Sequence, residues 1–426
     1  MKPFWALCLA ALALCCCSGK SVDPDPGSDP TPPTPAVEVT GISGTFIQHW
    51  LVSQWSLAQW DNEMQVLAEA GMKYLVFTPL QEDDDAPDYD SLERCLTSAK
   101  INGIKVFVGT NFHKNWWGKH VTSDWLNEQM QTGLTIAREA YDRFHAIYGD
   151  TLYGWYWDWE VDNLNWNSDE RKSLLVTAMN ISLDGLTALD AGMPLLFCPF
   201  FNPTYGAAKK YGEFWKSVFP QLHLRSGDIF APQDCVGASG IKPQNVKTWF
   251  SQFKDAVATV NGLQLWADIE LFQQFRQIDE DKFVTAPFER IPSQIDAVKS
   301  FVQGIICFAY THYYSPNEVR EDYHAAYKAY LKDGTLPSPG SPARISSHNK
   351  NVGTGVELSW TFASKTDIDG VAIYKNNNLL IKLQVKKEKG EYKYPDYYFD
   401  YDGKQSDTYQ ICTYNINGNE SAKTSF

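Results

Sequence analysis

Residues 262–270 (GLQLWADIE) carry the pattern that decides the fold. Every second residue from Leu263 is apolar, and the alternate positions hold Gln264, Trp266, Asp268 and Glu270. Side chains of a strand point alternately to its two faces. Because unpaired carboxylates buried beneath helices would be costly, the polar face must point away from the helices that cover the apolar one. A strand of this kind is typical of a barrel wall, with its polar face in the lumen.

The sequence on both sides of this segment repeats the same unit, a short apolar run followed by an amphipathic helix. The predicted strands are residues 42–48, 73–78, 104–110, 152–160, 194–199, 228–231, 262–270 and 304–310. The predicted helices are residues 57–70, 91–101, 123–148, 169–190, 208–219, 244–260, 293–301 and 317–332. Eight alternating pairs within residues 41–334 predict an α/β fold, a (β/α)₈ TIM barrel. No GxGxxG or GxxxxGK[ST] motif follows a strand, which disfavours nucleotide binding.

The pattern changes after residues 335–342 (TLPSPGSP), a Pro- and Gly-rich linker. Residues 343–426 contain short alternating strands separated by turns, which predict a small all-β sandwich domain. The stretches LSWTFASKTDIDGVAIYK (358–375) and TYQICTYNINGNES (408–421) resemble a fibronectin type III or related Ig-like module.

The composition narrows the possible partners. The chain has 37 basic and 51 acidic residues, a net charge of −14, which disfavours nucleic acid as a partner. No internal run of about 18 apolar residues occurs, so a polytopic membrane protein is excluded. The 15 tryptophans suggest sugar stacking, and we expect a monomer acting on an oligo- or polysaccharide.

The N-terminus has the features of an export signal. Lys2 precedes the apolar residues 4–14, and three cysteines follow, Cys15, Cys16 and Cys17. This segment resembles a bacterial lipoprotein signal spanning residues 1–17, which implies lipidation of Cys17, with Cys15 and Cys16 as alternatives. Residues 18–40 read as a flexible tether. The resemblance implies an exported lipoprotein of a Gram-negative bacterium, anchored to the outer membrane on its periplasmic face or at the cell surface, with the lipid as its only membrane contact.

Carboxylates mark the ends of two strands on opposite sides of the predicted barrel, Glu160 after the fourth strand and Glu270 at the end of the seventh. Hydrolysis of a glycosidic bond needs such a pair, one to protonate the leaving oxygen and one to attack the sugar or activate water. The placement resembles the large retaining superfamily of (β/α)₈ glycoside hydrolases, clan A, and the barrel as a whole resembles a family of bacterial lipoprotein barrels assigned to glycoside hydrolases. These resemblances imply a retaining hydrolase with Glu160 as acid/base and Glu270 as nucleophile.

Two alternatives stay open because of the residues around Glu160. Clan A enzymes usually place an Asn before the strand-four Glu, where this chain has Trp159. Asp158-Trp159-Glu160 also resembles the end of the strand-four motif of family-18 chitinases, which implies a substrate-assisted hydrolase using Asp158 and Glu160. The other alternative to a retaining hydrolase is a non-catalytic, glycan-binding surface lipoprotein.

Other residues at the strand ends complete the predicted site. We expect no cofactor and no metal, since neither HExxH nor paired CxxC motifs occur. The predicted substrate-binding or supporting residues are His49, Trp50, Asn111, Trp116, Trp117, Tyr156, Asp158, Asn202, Gln233, Asp234, Trp266, Asp268, Tyr310 and His312.

Overall fold

A computed structural model describes residues 39–118, 121–238, 240–276 and 281–426. The predicted signal, its lipidated Cys17 and nearly all of the predicted tether lie outside these ranges. Within them, no helix is both long enough and apolar enough to cross a membrane.

Eight parallel strands close into a barrel, which confirms the predicted fold class. In chain order the strands up to residue 308 are β1 (Gly44–Gln48), β2 (Tyr74–Thr78), β3 (Gln81–Glu82), β4 (Lys105–Gly109), β5 (Asn111–Phe112), β6 (Leu152–Trp157), β7 (Leu195–Phe197), β8 (Ile229–Phe230), β9 (Gln264–Glu270), β10 (Phe272–Arg276), β11 (Asp281–Thr285) and β12 (Gly304–Phe308). The barrel contains β1, β2, β4, β6, β7, β8, β9 and β12, and β12 pairs with β1 to close it.

The helices cover the outside of the barrel. They are α1 (His49–Val52), α2 (Leu57–Glu69), α3 (Tyr89–Asn102), α4 (Ser123–Tyr148), α5 (Asp169–Leu189), α6 (Ala208–Val218), α7 (Pro243–Val257), α8 (Arg290–Val298), α9 (Tyr310–Tyr313) and α10 (Glu321–Asp333). The long helices have clear start signals: Ser56 and Gln59 form a capping box at α2, and the Thr122 hydroxyl accepts from the backbone N–H of Trp125 at α4.

The two faces of the strands separate as the alternation predicts. Ile269 of β9 and Trp155 of β6 pack in the large apolar layer between strands and helices, whereas Tyr156 and Trp266 pack in a smaller cluster inside the lumen. The lumen cluster is filled mainly by large side chains such as Phe46 and Phe107. The barrel interior is therefore a packed core below its mouth, which leaves polar chemistry to the carboxyl ends of the strands.

Three features differ from the sequence prediction. Strand β6 ends at Trp157, so residues 158–160 continue beyond the sheet. Strand β12 ends at Phe308, and Tyr310 begins the short helix α9, where its backbone N–H donates to the Thr45 hydroxyl. The antiparallel hairpin β10–β11 follows β9 directly, where no strand was predicted.

The C-terminal region forms two facing antiparallel sheets and a short hairpin. The strands are β13 (Ile345–Val352), β14 (Val356–Phe362), β15 (Gly370–Lys375), β16 (Asn378–Gln384), β17 (Lys386–Glu388), β18 (Glu391–Lys393), β19 (Tyr397–Asp400), β20 (Tyr409–Tyr414) and β21 (Thr424–Ser425). One sheet contains β13, β14 and β19, the other β16, β15, β20 and β21, and apolar residues of both share one core with Trp360. This arrangement is the predicted β-sandwich.

Buried polar contacts fasten the sandwich to the barrel. The Tyr323 hydroxyl of α10 donates to Asp369 over 2.7 Å, and the Gln384 side-chain oxygen accepts from the backbone N–H of Thr285 over 2.9 Å. Arg320 donates to the Ile368 carbonyl over 3.0 Å. These contacts fix the sandwich beside the strand ends of the barrel.

Candidate active site

A cavity of about 100 Å³ opens at the carboxyl ends of the barrel strands. Its walls combine aromatic faces with carboxyl and amide groups, the composition expected of a site for a polar ring. The lining residues are Phe46, Gln48, Trp50, Thr78, Pro79, Phe112, Trp117, Tyr156, Asp158, Glu160, Gln233, Asp268 and Phe308.

Glu160 lies at the mouth, just beyond the fourth barrel strand, β6. The Gln233 side-chain amide donates to its Oε1 over 2.7 Å. From behind, the buried indole of Trp116 donates to the backbone carbonyl of Glu160 over 2.6 Å. Trp159 packs outward against Trp125 in a T-shaped contact, so the position that holds Asn in clan A faces the helix layer here. Gln233 supplies the amide that contacts the carboxylate instead.

Asp158 is tied to the barrel wall on both of its oxygens. One accepts from the Thr78 hydroxyl, and the other accepts from the backbone N–H of Thr110 over 2.7 Å. Burial nevertheless raises the pKa of this carboxyl to about 8, because desolvation outweighs the two hydrogen bonds. Asp158 therefore connects three neighbouring strands and is largely protonated at neutral pH.

Asp268 of β9 also lines the cavity, three strands around the barrel from β6. Its side chain is buried, and its Oδ1 has no hydrogen-bond partner within the described part of the chain. Burial first, and then the charges of Glu270, Asp234 and Glu160, raise the pKa of Asp268 well above its usual range. An unpaired buried acceptor at a cavity wall is costly unless a ligand supplies the missing donor.

Glu270, the predicted nucleophile, is not among the residues that line the cavity. Its Oε2 accepts from the backbone N–H of Ala238 over 2.8 Å, and its side chain is as deeply buried as that of Asp268. Burial and the nearby charge of Asp234 raise the pKa of Glu270.

A polar network behind Glu270 fixes its position. Asp234, fully buried, accepts from the backbone N–H of Glu270 over 3.2 Å and from the Gln294 amide over 2.5 Å. Arg290 donates to the Glu270 carbonyl over 2.7 Å and to the Gln294 side-chain oxygen over 2.9 Å. Asp234 thus supports the end of β9 and does not line the cavity.

The predicted sugar-stacking tryptophans divide into two groups. Trp50 and Trp117 line the cavity and remain partly exposed. Trp116 is buried and stacks on Trp166 at 4.3 Å between ring centroids. Trp266 packs inside the lumen against Tyr74 at 5.0 Å, below the cavity. Only the first two are placed to contact a ligand in the cavity.

Five other predicted residues lie outside the cavity, and four of them make structural contacts. His49 bonds Asp88 over 2.9 Å, and the Tyr310 hydroxyl bonds His324 over 2.8 Å on the outer side of the barrel. Asn111 donates to the Gln129 carbonyl of α4, and the Asn202 side chain accepts from the N–H of Thr204. His312 borders a second cavity, described below.

The sequence prediction omitted six lining residues, Phe46, Gln48, Thr78, Pro79, Phe112 and Phe308. Gln48 and Thr78 are the last residues of β1 and β2, so a reading of every strand end would have found them. Among the described residues, no group of three or more His, Cys, Asp or Glu side chains could hold a metal ion.

The raised pKa of Asp158 predicts a pH-dependent stability. The folded protein keeps a proton on this carboxyl up to about pH 8, whereas the unfolded chain loses it near pH 4. The native state therefore binds more protons across this window, and its stability must fall as the pH rises, by roughly 1.4 kcal/mol per pH unit from this group. Urea unfolding, followed by tryptophan fluorescence at several pH values between about 4 and 8, measures the slope.

The variant Asp158→Asn isolates the contribution of that carboxyl. It keeps one acceptor for the Thr110 N–H and a donor for the Thr78 hydroxyl, so its stability should decline less steeply with pH. Asp255→Asn, at an exposed position of α7, is the matched control and should retain the wild-type slope. Equal slopes in all three proteins would contradict the assignment.

The fold and the cavity together define a class, the (β/α)₈-barrel proteins with a carboxylate-lined cavity at the strand ends. Within this class, the chain belongs to the family described as Domain of unknown function (DUF4434), which residues 42–320 match. No curated protein sequence matches the chain.

Solved structures that resemble the chain are glycoside hydrolases. A candidate alpha-L-fucosidase from Bacteroides thetaiotaomicron is 16% identical with a TM-score of 0.58, over 71% of this chain and 99% of that one. A family 39 glycoside hydrolase from Bacteroides cellulosilyticus is 9% identical with a TM-score of 0.47, over 84% and 78%. A family 39 beta-xylosidase from Caulobacter crescentus is 13% identical with a TM-score of 0.46, over 80% and 83%. At 16% identity, the likeness to the first of these structures shows a shared fold alone.

Proposed function

We propose that this protein is a glycoside hydrolase acting on an oligo- or polysaccharide, with Glu160 as the proton donor. The observation that carries the proposal is the cavity at the barrel mouth, whose walls contain the carboxyl groups of Glu160 and Asp268 together with the aromatic side chains of Trp50 and Trp117. A pair of carboxyl groups in one cleft is the minimum for glycosidic cleavage. The glycosidase fold of its structural neighbours supports the same reaction class.

The second carboxyl group comes from β9, which offers two candidates. The strand-end position and the clan A resemblance favour Glu270 as nucleophile. The cavity favours Asp268, because Asp268 lines it and its Oδ1 has no hydrogen-bond partner among the described residues, whereas Glu270 does not line it. We infer that Asp268 is the carboxyl group that acts on the substrate and that Glu270 positions the end of β9. Retention of the anomeric configuration stays a prediction, and identifying which anomer of the product sugar is released first would test it.

The substrate-assisted alternative finds less support. It needs the Asp158 carboxyl to orient an acetamido group of the substrate, yet both of its oxygens already accept hydrogen bonds from Thr78 and Thr110. A strict requirement for N-acetylated sugars would restore this alternative.

The non-catalytic alternative is supported by the position of Glu270, which does not line the cavity. If Asp268 also does nothing to the bound sugar, the cavity would hold a glycan without cleaving it. The proposed lipoprotein signal suits both versions, since either protein would work at the outer membrane on glycans outside the cytoplasm.

A glycan panel tests the proposal. We expect the wild-type protein to release reducing sugar from at least one of the fucose-, xylose-, galactose- or glucuronate-containing glycans, and Glu160→Gln to release none above background. Released reducing ends and product chromatography measure the reaction. Tight binding of a glycan without any release would reject the hydrolase in favour of the binding protein.

A further inference from the structure

A second cavity, of about 340 Å³, lies next to the candidate active site. Gln48, at the end of β1, lines both cavities. The new cavity falls in the range of roughly 300–1,000 Å³ that is typical of ligand pockets. Its lining residues are Gln48, Leu51, Phe283, His312, Tyr313, Glu318, Lys386, Lys387 and Glu388.

Both domains build this cavity. Lys386, Lys387 and Glu388 form strand β17 of the C-terminal sandwich, and the other lining residues belong to the barrel region. Two hydrogen bonds hold β17 against the barrel: the Lys387 backbone N–H donates to the Glu318 carbonyl over 3.1 Å, and its ammonium donates to the Pro316 carbonyl over 2.8 Å. The cavity is thus a fixed part of the domain junction.

Three polar side chains that line this cavity lack hydrogen-bond partners at one of their polar atoms within the described part of the chain. The Lys386 ammonium makes no hydrogen bond or ion pair with the residues that the structure describes, and desolvation lowers its pKa. Within the same ranges, Nε2 of His312 and Oε1 of Gln48 are buried and have no hydrogen-bond partner. Burial lowers the pKa of His312 to about 4, so its imidazole is neutral and offers one donor and one acceptor.

The charges of the cavity are balanced. Lys386 and Lys387 contribute positive charge, while Glu318 and the exposed Glu388 contribute carboxyl groups. Burial raises the pKa of Glu318, and the nearby Lys386 opposes that rise. Tyr313 and Phe283 add aromatic faces. Unpaired donors and acceptors beside aromatic carbon suit sugar hydroxyls, which both donate and accept, better than they suit an anion.

We propose that this cavity is a second sugar subsite, in which the β-sandwich contributes Lys386 to the binding of a neutral sugar unit next to the one held at Glu160. The proposal rests on the proposed function for its substrate class. It requires a substrate of at least two sugar units and makes the C-terminal domain part of the binding site.

Binding measurements on the full chain separate this proposal from catalysis. The probes are mono-, di- and trisaccharides of xylose, of glucose and of galactose, together with a disaccharide containing glucuronate, measured by isothermal titration calorimetry with Glu160→Gln. In at least one neutral series we expect the disaccharide to bind at least about tenfold more tightly than the monosaccharide, since a hydrogen bond to a charged group contributes on that order.

Two variants, one in each domain, test the subsite. Adding Lys386→Met or His312→Gln should reduce the gain from mono- to disaccharide to about twofold or less. Adding Lys404→Met, at an exposed turn of the sandwich, should leave the gain intact. No gain in any neutral series, a gain only for the glucuronate disaccharide, or a gain that both variants retain would overturn the proposal. If the wild-type protein binds with the expected gain but hydrolyses nothing, the proposed reaction fails while the subsite stands.

Discussion

Glu160→Gln lowers kcat/KM by about a thousandfold on a glycoside with a poor leaving group, such as a methyl glycoside of the sugar that the panel identifies. Positioned proton transfer contributes roughly 10²–10⁴ to such reactions, and the amide cannot transfer a proton. The variant keeps the local structure, because a Gln at this position can still accept the Gln233 hydrogen bond, and the Trp116 contact is made to the backbone.

The leaving group identifies the role of Glu160. A dinitrophenolate departs with little protonation, so Glu160→Gln should lose about tenfold or less on the dinitrophenyl glycoside of the same sugar. Glu213→Gln, on the exposed face of α6, controls for the loss of one carboxylate and should behave as the wild type on both substrates. Equal losses of Glu160→Gln on both substrates would instead make Glu160 a binding or structural residue.

The barrel itself could be predicted because local patterns dictate it. The alternation in residues 262–270 identifies β9 and its lumen face, and each of the eight predicted helices is present. The element ends were less predictable, because tertiary contacts set them. Residue Tyr310 was read as the end of a strand, yet its ring packs among the outer helices and its hydroxyl bonds His324.

The candidate site was predictable only where a strand end alone places the side chain. Glu160 and Gln233 follow β6 and β8, and the structure joins them by a hydrogen bond. The position of Glu270 away from the cavity was not predictable, since its carboxyl group is held by the backbone N–H of Ala238, in a segment whose path no side-chain pattern encodes. Lys386 was equally hidden, because only the docking of the second domain brings it to the barrel mouth.

The choice between the two carboxyl groups of β9 has an equally large expected effect. Asp268→Asn should lower kcat/KM by about a thousandfold or more on both the methyl and the dinitrophenyl glycoside. The reaction needs its nucleophile or base with either leaving group, and the amide can act as neither. Asp268 borders the cavity, and the isosteric amide removes its ability to ionise without breaking a hydrogen bond within the described part of the chain.

Glu270→Gln is the matched comparison, on the same strand and two residues away. Burial, and then the charge of Asp234, raise the pKa of Glu270, and the amide oxygen of the variant can still accept from the Ala238 N–H. We therefore expect Glu270→Gln to keep kcat/KM within about tenfold and to lose no stability in urea, because the raised pKa means that the ionised carboxylate is the unfavourable form at this buried position. The reverse result, an inactive Glu270→Gln beside an active Asp268→Asn, would return the nucleophile to Glu270. The residues around Glu270 would then have to rearrange before a sugar could reach that carboxylate, because it does not line the cavity and its Oε2 is bonded to the Ala238 N–H.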